Sequence, residues 1–119
     1  MQVSVVDFAK DRVVYNITQC TREELMNKLN LFFTSEGYKQ GSTEGDTTYY
    51  TKGNRVMRLL FGAFVKYHKQ SLNVKQEGDL FSVMLHKDSS GISGGLIGMN
   101  QVKKEFARLS EAFKAYFSN

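Results

Sequence analysis

The stretch 47–76 combines cations with aromatic side chains and contains no acidic residue. Its formal charge is +6, whereas residues 1–46 carry −2 and residues 77–119 carry 0. Cations neutralise phosphate groups and rings stack on bases, so this composition is typical of a nucleic-acid surface. Cations beside an apolar segment equally favour anionic phospholipid head groups. The residues that would form this basic–aromatic surface are Lys52, Arg55, Arg58, Phe61, Phe64, Lys66, Tyr67 and Lys69.

The same stretch has a purely structural interpretation, in which the rings belong to the core and the cations form a solvated face. Periodicity does not distinguish helix from strand over residues 55–65, because short apolar runs fit both. The aromatic motif of RNA-recognition domains is absent, which disfavours nucleic acid. The directions of the cationic side chains decide the matter, since cations on different faces would not form one surface.

A second candidate is the glycine-rich segment 91–98. Glycines between a strand and a helix leave backbone amides open to an anion, as in phosphate-binding loops. Here, however, Gly98 is followed by Met99 and Asn100 instead of the Lys and Ser or Thr of a P-loop. The segment is therefore interpreted as a sharp turn or as a lid over a pocket. Its glycines are Gly91, Gly94, Gly95 and Gly98.

Few residues suit metal or nucleophilic chemistry. Seventeen residues separate the two histidines, His68 and His86, and Cys20 is the one cysteine. This spacing is not that of a zinc site, so we expect no metal and no cofactor. We expect both histidines to face solvent, because His86 falls on the polar phase of its strand and His68 lies among lysines. No serine lies in a Gly-x-Ser-x-Gly motif. The inventory favours a binding module over an enzyme.

Length and composition indicate a single domain over residues 1–119. The chain is 41% hydrophobic and has no proline, which suits an ordinary packed core. Its longest apolar run, Leu59–Val65, is far shorter than the roughly 20 residues of a membrane-spanning helix. The first residues lack the pattern of a secretory signal, so we expect a cytoplasmic location.

Two amphipathic helices must help to position these groups. Thr21 and Glu24 form a capping-box pattern, which predicts a helix from Arg22 with Gly37 as its C-terminal cap. Four apolar residues recur at helical spacing within it, namely Leu25, Leu29, Phe32 and Phe33. A second stripe predicts a C-terminal helix of about 16 to 18 residues. Its members are Val102, Phe106, Leu109, Phe113 and Tyr116.

Alternating patterns predict the strands. Val13, Tyr15 and Ile17 share one face of a strand over 12–18, residues 3–8 fit a further short strand, and consecutive hairpins follow between residues 38 and 86. We therefore expect a two-layer α+β domain in the order β-α-β-β-β-β-α, with a curved antiparallel sheet of four to six strands and both helices on one face. In element order alone it resembles the TATA-binding-like and helix-grip architectures, which implies no function.

The sequence thus predicts a non-enzymatic binding module and leaves two ligands open. In the first hypothesis, the sheet and the helix over 102–117 enclose a site for a hydrophobic or amphipathic small molecule, or for a partner protein. In the second, residues 47–76 bind an anionic surface, either phospholipid or nucleic acid.

Overall fold

A six-stranded antiparallel sheet carries two helices in the computed structural model, which describes residues 1–53, 67–88 and 95–118. For residues 67, 95–100 and 118 the backbone alone is described. The strands are β1 (Gln2–Phe8), β2 (Arg12–Thr18), β3 (Lys39–Glu44), β4 (Thr47–Gly53), β5 (Tyr67–Glu77) and β6 (Leu80–Asp88). The helices are α1 (Arg22–Ser35) and α2 (Gly95–Ser118). The predicted α+β class is confirmed, with the element order β-β-α-β-β-β-β-α.

The strands lie in the order β1-β2-β6-β5-β4-β3, so β1 and β3 form the two edges. Every neighbouring pair is antiparallel. The short strand over residues 3–8 that the sequence allowed is β1, and it adds one strand to the expected order. The resemblance to TATA-binding-like and helix-grip architectures stays a prediction.

One face of the sheet holds the core. On β2 the buried residues are Val13, Tyr15 and Ile17, as the period-two pattern predicted. The inward rows of the neighbouring strands continue this surface with Phe81, Val83 and Leu85 on β6, Leu72 and Val74 on β5, and Tyr50 on β4.

The N-terminal end of α1 has the predicted capping box. The backbone amide of Glu24 donates to the Thr21 hydroxyl at 3.1 Å, and the amide of Thr21 donates to the Glu24 carboxylate at 3.1 Å. Beyond the C-terminal end, Gly37 has a φ of +88°, the left-handed conformation that glycine adopts without strain. The four apolar residues of the predicted stripe are all buried.

Aromatic contacts join both helices to the same face of the sheet. The ring of Phe113 on α2 stacks on Tyr15 of β2, with centroids 4.7 Å apart. The same ring meets Phe32 of α1 edge-on at 5.1 Å and stacks on Phe117 at 4.5 Å. The expected two-layer arrangement is therefore present.

The helix α2 is longer than the sequence predicted. It comprises 24 residues and begins at Gly95, so Gly95 and Gly98 belong to helical backbone and not to a loop. The prediction began the helix after these glycines because glycine costs about 1 kcal/mol in a helix relative to alanine. Within the described ranges, no helix combines the length and the apolar character needed to cross a lipid bilayer.

Candidate functional site

The basic–aromatic surface is described at two of its side chains, Lys52 and Lys69, and these lie on opposite faces of the sheet. Lys52 points to the helical layer, where its Nζ lies 3.9 Å from a carboxylate oxygen of Glu105 on α2. Lys69 lies on the other face, with its Nζ 4.7 Å from the ring centroid of Tyr49 and 3.4 Å from Asp88. These two cations therefore do not belong to one continuous surface.

The other predicted residues give no test of that surface. Tyr67 begins β5, where its backbone pairs with Gly53 at the end of β4. Gly95 and Gly98 lie in α2. The rest fall outside the described residues, namely Arg55, Arg58, Phe61, Phe64, Lys66, Gly91 and Gly94. The question of helix or strand over 55–65 also falls there.

The expectation that both histidines face solvent was wrong for His68. Its exposed fraction is 4%, and it lies opposite Lys52 on the helix-facing side of the sheet. The prediction relied on the lysines that adjoin it in sequence, whereas the phase of the strand decides its direction. Leu72 and Val74 point inward, and counting back by two residues from Leu72 reaches Gln70 and then His68. His86 is partly exposed, with Nε2 3.8 Å from a carboxylate oxygen of Asp11.

A polar network that runs from the buried Gln70 to the exposed Arg108 links this end of the sheet to α2. Two nitrogens of Arg108 donate to the two oxygens of Glu105, Nε at 2.8 Å and Nη2 at 2.9 Å. The hydroxyl of Tyr38 donates to Glu105 at 2.6 Å and accepts a hydrogen bond of 3.3 Å from Nε2 of Gln70. Arg108 also donates to Glu36, which follows α1. The network thus connects β5, the residues after α1 and the exposed side of α2.

The network keeps Glu105 ionised. Burial alone would raise the pKa of Glu105, but the hydrogen bonds from Arg108 and Tyr38 outweigh it and lower this pKa to about 2. Burial raises the pKa of Tyr38, and its hydrogen bond to Glu105 raises it further, so the hydroxyl stays a donor. The hydrogen bond to Glu105 likewise raises the pKa of Arg108. The result is a fixed charge pair at the side of α2.

One cleft opens beside this network, and we call it the polar cleft. It has a volume of about 310 Å³ and is lined by Lys52, His68, Gln101, Lys104, Glu105 and Arg108. Among these side chains the formal charges are three positive and one negative, with histidine neutral. The carboxylate is already bonded to Arg108 and Tyr38, so the cleft as a whole is cationic.

The second cleft lies on the opposite side of α2, and we call it the apolar cleft. Its volume is about 350 Å³. Apolar atoms come from Phe8, Ala9, Phe106 and Ala107, and the other lining residues are Ser110 and the lysines Lys10, Lys87 and Lys103. Among the described residues, no carboxylate lines this cleft.

The apolar cleft exists because the helical layer does not reach the β1 edge of the sheet. The register pairs Val5 with Tyr15 and Phe8 with Val13, which places both β1 residues on the helix-facing side. Their partners on β2 are buried, yet Val5 is 46% exposed and Phe8 is 59% exposed. The ring of Phe8 therefore forms one wall of the cleft without being covered.

Two acidic residues adjoin this corner of the molecule but are engaged toward the other face. Asp7 accepts a hydrogen bond of 3.0 Å from Nε of Arg12, and Asp11 lies 3.8 Å from His86. Both Arg12 and His86 belong to rows that alternate with the buried residues of their strands. The three lysines of the apolar cleft thus keep their charge on the helix-facing side.

Metal ligation has no candidate site in the part of the chain that the structure describes, since no three His, Cys, Asp or Glu side chains are grouped to hold an ion. The single thiol, Cys20, is partly buried beside the core, and burial raises its pKa. Neither observation assigns a reaction to the chain.

No protein-family model matches the chain, and no curated protein is significantly similar to it.

Sequence reasoning missed most residues of both clefts. Two signals were available. The inward-facing row of β5 changes from the apolar Leu72 to the polar Gln70 and His68, which marks a polar end of the core face. The lysines at 103 and 104 are successive in a helix and so project about 100° apart, toward different neighbours. The covering of β1, in contrast, depends on where the helices end across the sheet, which no local pattern specifies.

Proposed function

We propose that this protein is a binding module whose ligand is an anionic amphipathic small molecule held in the apolar cleft. The observation that carries the proposal is the combination of an apolar surface, to which Phe8, Phe106 and Ala107 contribute, with three lysines that line the same cleft. A ligand with an apolar chain and one anionic end matches both parts. A cytoplasmic location, expected from the sequence, stays a prediction.

The size and the composition of the cleft support a small ligand. Its volume of about 350 Å³ lies at the lower end of the range of ligand pockets, roughly 300–1,000 Å³. Burying the exposed part of Phe8 would contribute favourable free energy in proportion to the apolar area covered, about 25 cal/mol per Å². The proposal therefore explains why a phenylalanine stands uncovered at the edge of the core.

The charge of the cleft supports the anionic end. Lys10, Lys87 and Lys103 come from the β1–β2 turn, the end of β6 and α2, so three separate parts of the chain each contribute a cationic residue to the lining. Like charges repel, and an anion between them removes that repulsion while it forms charge-assisted hydrogen bonds. A neutral apolar ligand would leave the repulsion in place.

The test is a titration of the protein with decanoate below its micelle concentration, followed by amide chemical shifts in NMR spectra. We expect saturable binding, with decyltrimethylammonium, which has the same chain and the opposite charge, weaker by about tenfold or more. Acetate, which has the charge without the chain, should not bind measurably. Equal binding of the two long-chain ions would contradict the anionic part of the proposal.

Two matched variants locate the site. Ala107 is exposed on α2, so Ala107→Trp fills the apolar cleft without changing the core, and it should abolish decanoate binding. Ala115→Trp, at another exposed position of the same helix, is the control and should bind decanoate as the wild type does. Decanoate binding that survives Ala107→Trp would overturn the proposal, as would its absence from the wild type, which would favour a partner protein as the occupant.

The second candidate, binding of phospholipid or nucleic acid through residues 47–76, is a separate proposal supported by the charge of +6 on that stretch. Because Lys52 and Lys69 lie on opposite faces of the sheet, such binding would use one of these two lysines and not both. It predicts that association with anionic vesicles or single-stranded DNA weakens steeply with salt. The charge-neutralising variant Lys52→Gln would distinguish the two candidates, since Lys52 lines the polar cleft and not the apolar cleft. It should weaken association with vesicles or DNA and leave decanoate binding unchanged. Salt-independent association would contradict it.

A further inference from the structure

The polar cleft has no role in the function proposed above. It lies on the other side of α2 from the apolar cleft, and no lining residue is shared between the two. From its charges and geometry, we propose that the polar cleft is a second binding site, for a compact dianion of the phosphate-monoester type.

The lining of the polar cleft carries more positive than negative charge. Its cations are Lys52, Lys104 and Arg108. Arg108 is paired with Glu105 and with Glu36, which does not line the cleft, so among the described residues Lys52 and Lys104 are the lining cations without a hydrogen-bonded carboxylate. A phosphate monoester is close to a dianion at pH 7, because its second pKa is near 6. One such dianion would match the two lysines, whereas a single carboxylate would match only one of them.

The acidic residue of the polar cleft is already engaged in hydrogen bonds. Glu105 accepts three hydrogen bonds, two from Arg108 and one from Tyr38, at distances between 2.6 and 2.9 Å. Lys52 is 3.9 Å away from it, too far for a hydrogen bond. The ammonium of Lys52 therefore stays near the cleft with its donors open to a further acceptor, so far as the described residues show.

The lysines of the polar cleft come from two different elements. Lys52 lies on β4 directly opposite the buried His68 of β5, while Lys104 lines the cleft from α2. The side chain of Lys52 is held by Glu105 and by the ring of Tyr38, whose centroid is 5.7 Å from Nζ. Among the described residues, no ion pair occupies Lys104. Cations on two different elements that face one space suit an oxyanion held between them.

The probe is glycerol 3-phosphate, titrated into the whole protein at constant ionic strength with chloride as the reference salt. NMR amide shifts should change at Lys104 and Glu105 and saturate, whereas acetate should bind about tenfold more weakly. Sulfate, also a compact dianion, should compete with glycerol 3-phosphate. Shifts spread over all lysines without saturation would overturn the proposal.

The variants Lys52→Gln and Lys104→Gln should each weaken binding of glycerol 3-phosphate by about tenfold, because each removes one charge-assisted hydrogen bond. The matched control is Lys103→Gln, which alters the neighbouring lysine of the apolar cleft and should leave this binding within twofold. Lys104 is exposed, so its variant should fold, and the thermal unfolding midpoint verifies this. Binding of glycerol 3-phosphate that is unchanged in Lys104→Gln would contradict the proposed site.

A measurement with vesicles distinguishes a small soluble ligand from the same phosphate group on a membrane lipid. Vesicles of phosphatidylcholine with a tenth of phosphatidic acid present a phosphate monoester at a surface. Binding to these vesicles without binding to glycerol 3-phosphate would overturn the proposal of a small soluble ligand. Since the clefts share no residue, the Ala107→Trp variant should bind glycerol 3-phosphate normally, so failure of one proposal does not entail failure of the other.

Discussion

At the scale of single residues, the hydroxyl of Tyr38 is the point where the core meets the charged surface. It donates to the carboxylate of Glu105 and accepts from the buried amide of Gln70. Gln70 is fully buried, and its Oε1 has no hydrogen-bond partner among the described atoms. Because a buried polar group without a partner costs about 1–3 kcal/mol, the remaining bond of Gln70 matters more than an average hydrogen bond.

The variant Tyr38→Phe tests this role. It should lower the free energy of unfolding by about 1–2 kcal/mol, since both Gln70 and Glu105 lose a buried hydrogen bond. The pKa of Glu105 should rise, because one of the hydrogen bonds that lower it is lost. Urea unfolding measures the first effect and NMR titration of the carboxyl carbon the second.

Tyr50→Phe is the matched control for that measurement. Tyr50 is as deeply buried as Tyr38, but its hydroxyl makes a long hydrogen bond of 3.4 Å to Asn30. Its loss should cost less than about 0.5 kcal/mol and leave the pKa of Glu105 unchanged. Equal losses in the two variants would show that the network adds no stability beyond that of a buried tyrosine.

At the scale of elements, α2 separates the two clefts and supplies residues to both. Lys103, Phe106 and Ala107 face the apolar cleft, whereas Lys104 and Arg108 face the polar one. This division follows from the helical repeat, in which successive residues project about 100° apart. The apolar stripe between them fixes the rotation of the helix on the sheet, so the stripe decides which lysine serves which cleft.

The helix α1 depends on its capping box in a way that can be measured. Thr21→Ala removes the acceptor for the amide of Glu24 and should lower the free energy of unfolding by about 1 kcal/mol. Thr34→Ala is the control, because its hydroxyl donates to the carbonyl of Asn30 within the helix and adds little. Chemical denaturation distinguishes the two, and an equal cost for both variants would contradict a specific role of the cap.

The contact between the helices rests on Phe113. Its ring touches Tyr15, Phe32 and Phe117, so Phe113→Leu should lower the free energy of unfolding by about 1–3 kcal/mol through lost packing. Tyr116→Leu, on a half-buried neighbour, should cost about half as much or less. Thermal or urea unfolding provides both values, and a larger loss at Tyr116 would place the centre of the core elsewhere.

The sequence predicts these elements well because their signals are local. The cap at Thr21, the left-handed Gly37 and the alternation of Val13, Tyr15 and Ile17 each depend on a few adjacent residues. The clefts depend instead on distant partners: Lys52 and Glu105 meet across 53 positions of the chain, and the exposure of Phe8 depends on where α2 crosses the sheet. The alternation of β5 predicts that His68 is buried, but the lysines next to it in sequence suggested that it is exposed.

At the scale of the whole molecule, the net charge of +4 does not show which cations are paired with carboxylates. Several described cations are neutralised by nearby carboxylates, as Lys69 is by Asp88 and Arg12 by Asp7. Lysines without an ion pair to another described residue line both clefts beside α2, Lys104 in the polar cleft and Lys103 in the apolar cleft. A patch of sequence with high charge is therefore a weaker guide to binding than the balance of charges around each cavity.

The response of global stability to acid follows from Glu105. Its folded-state pKa of about 2 lies below the ordinary value of 4.5, so its contribution to stability is complete above about pH 5 and is lost as the pH falls toward 2. At pH 3 the loss should be on the order of 2 kcal/mol, and this part of the acid destabilisation should vanish in Glu105→Gln. Urea unfolding between pH 6 and pH 3 measures it, with Glu111→Gln, an exposed carboxylate on the same helix, as the control that keeps the wild-type profile. If Glu105→Gln loses stability with acid as steeply as the wild type does, the network around Tyr38 and Arg108 is not what makes the fold sensitive to acid.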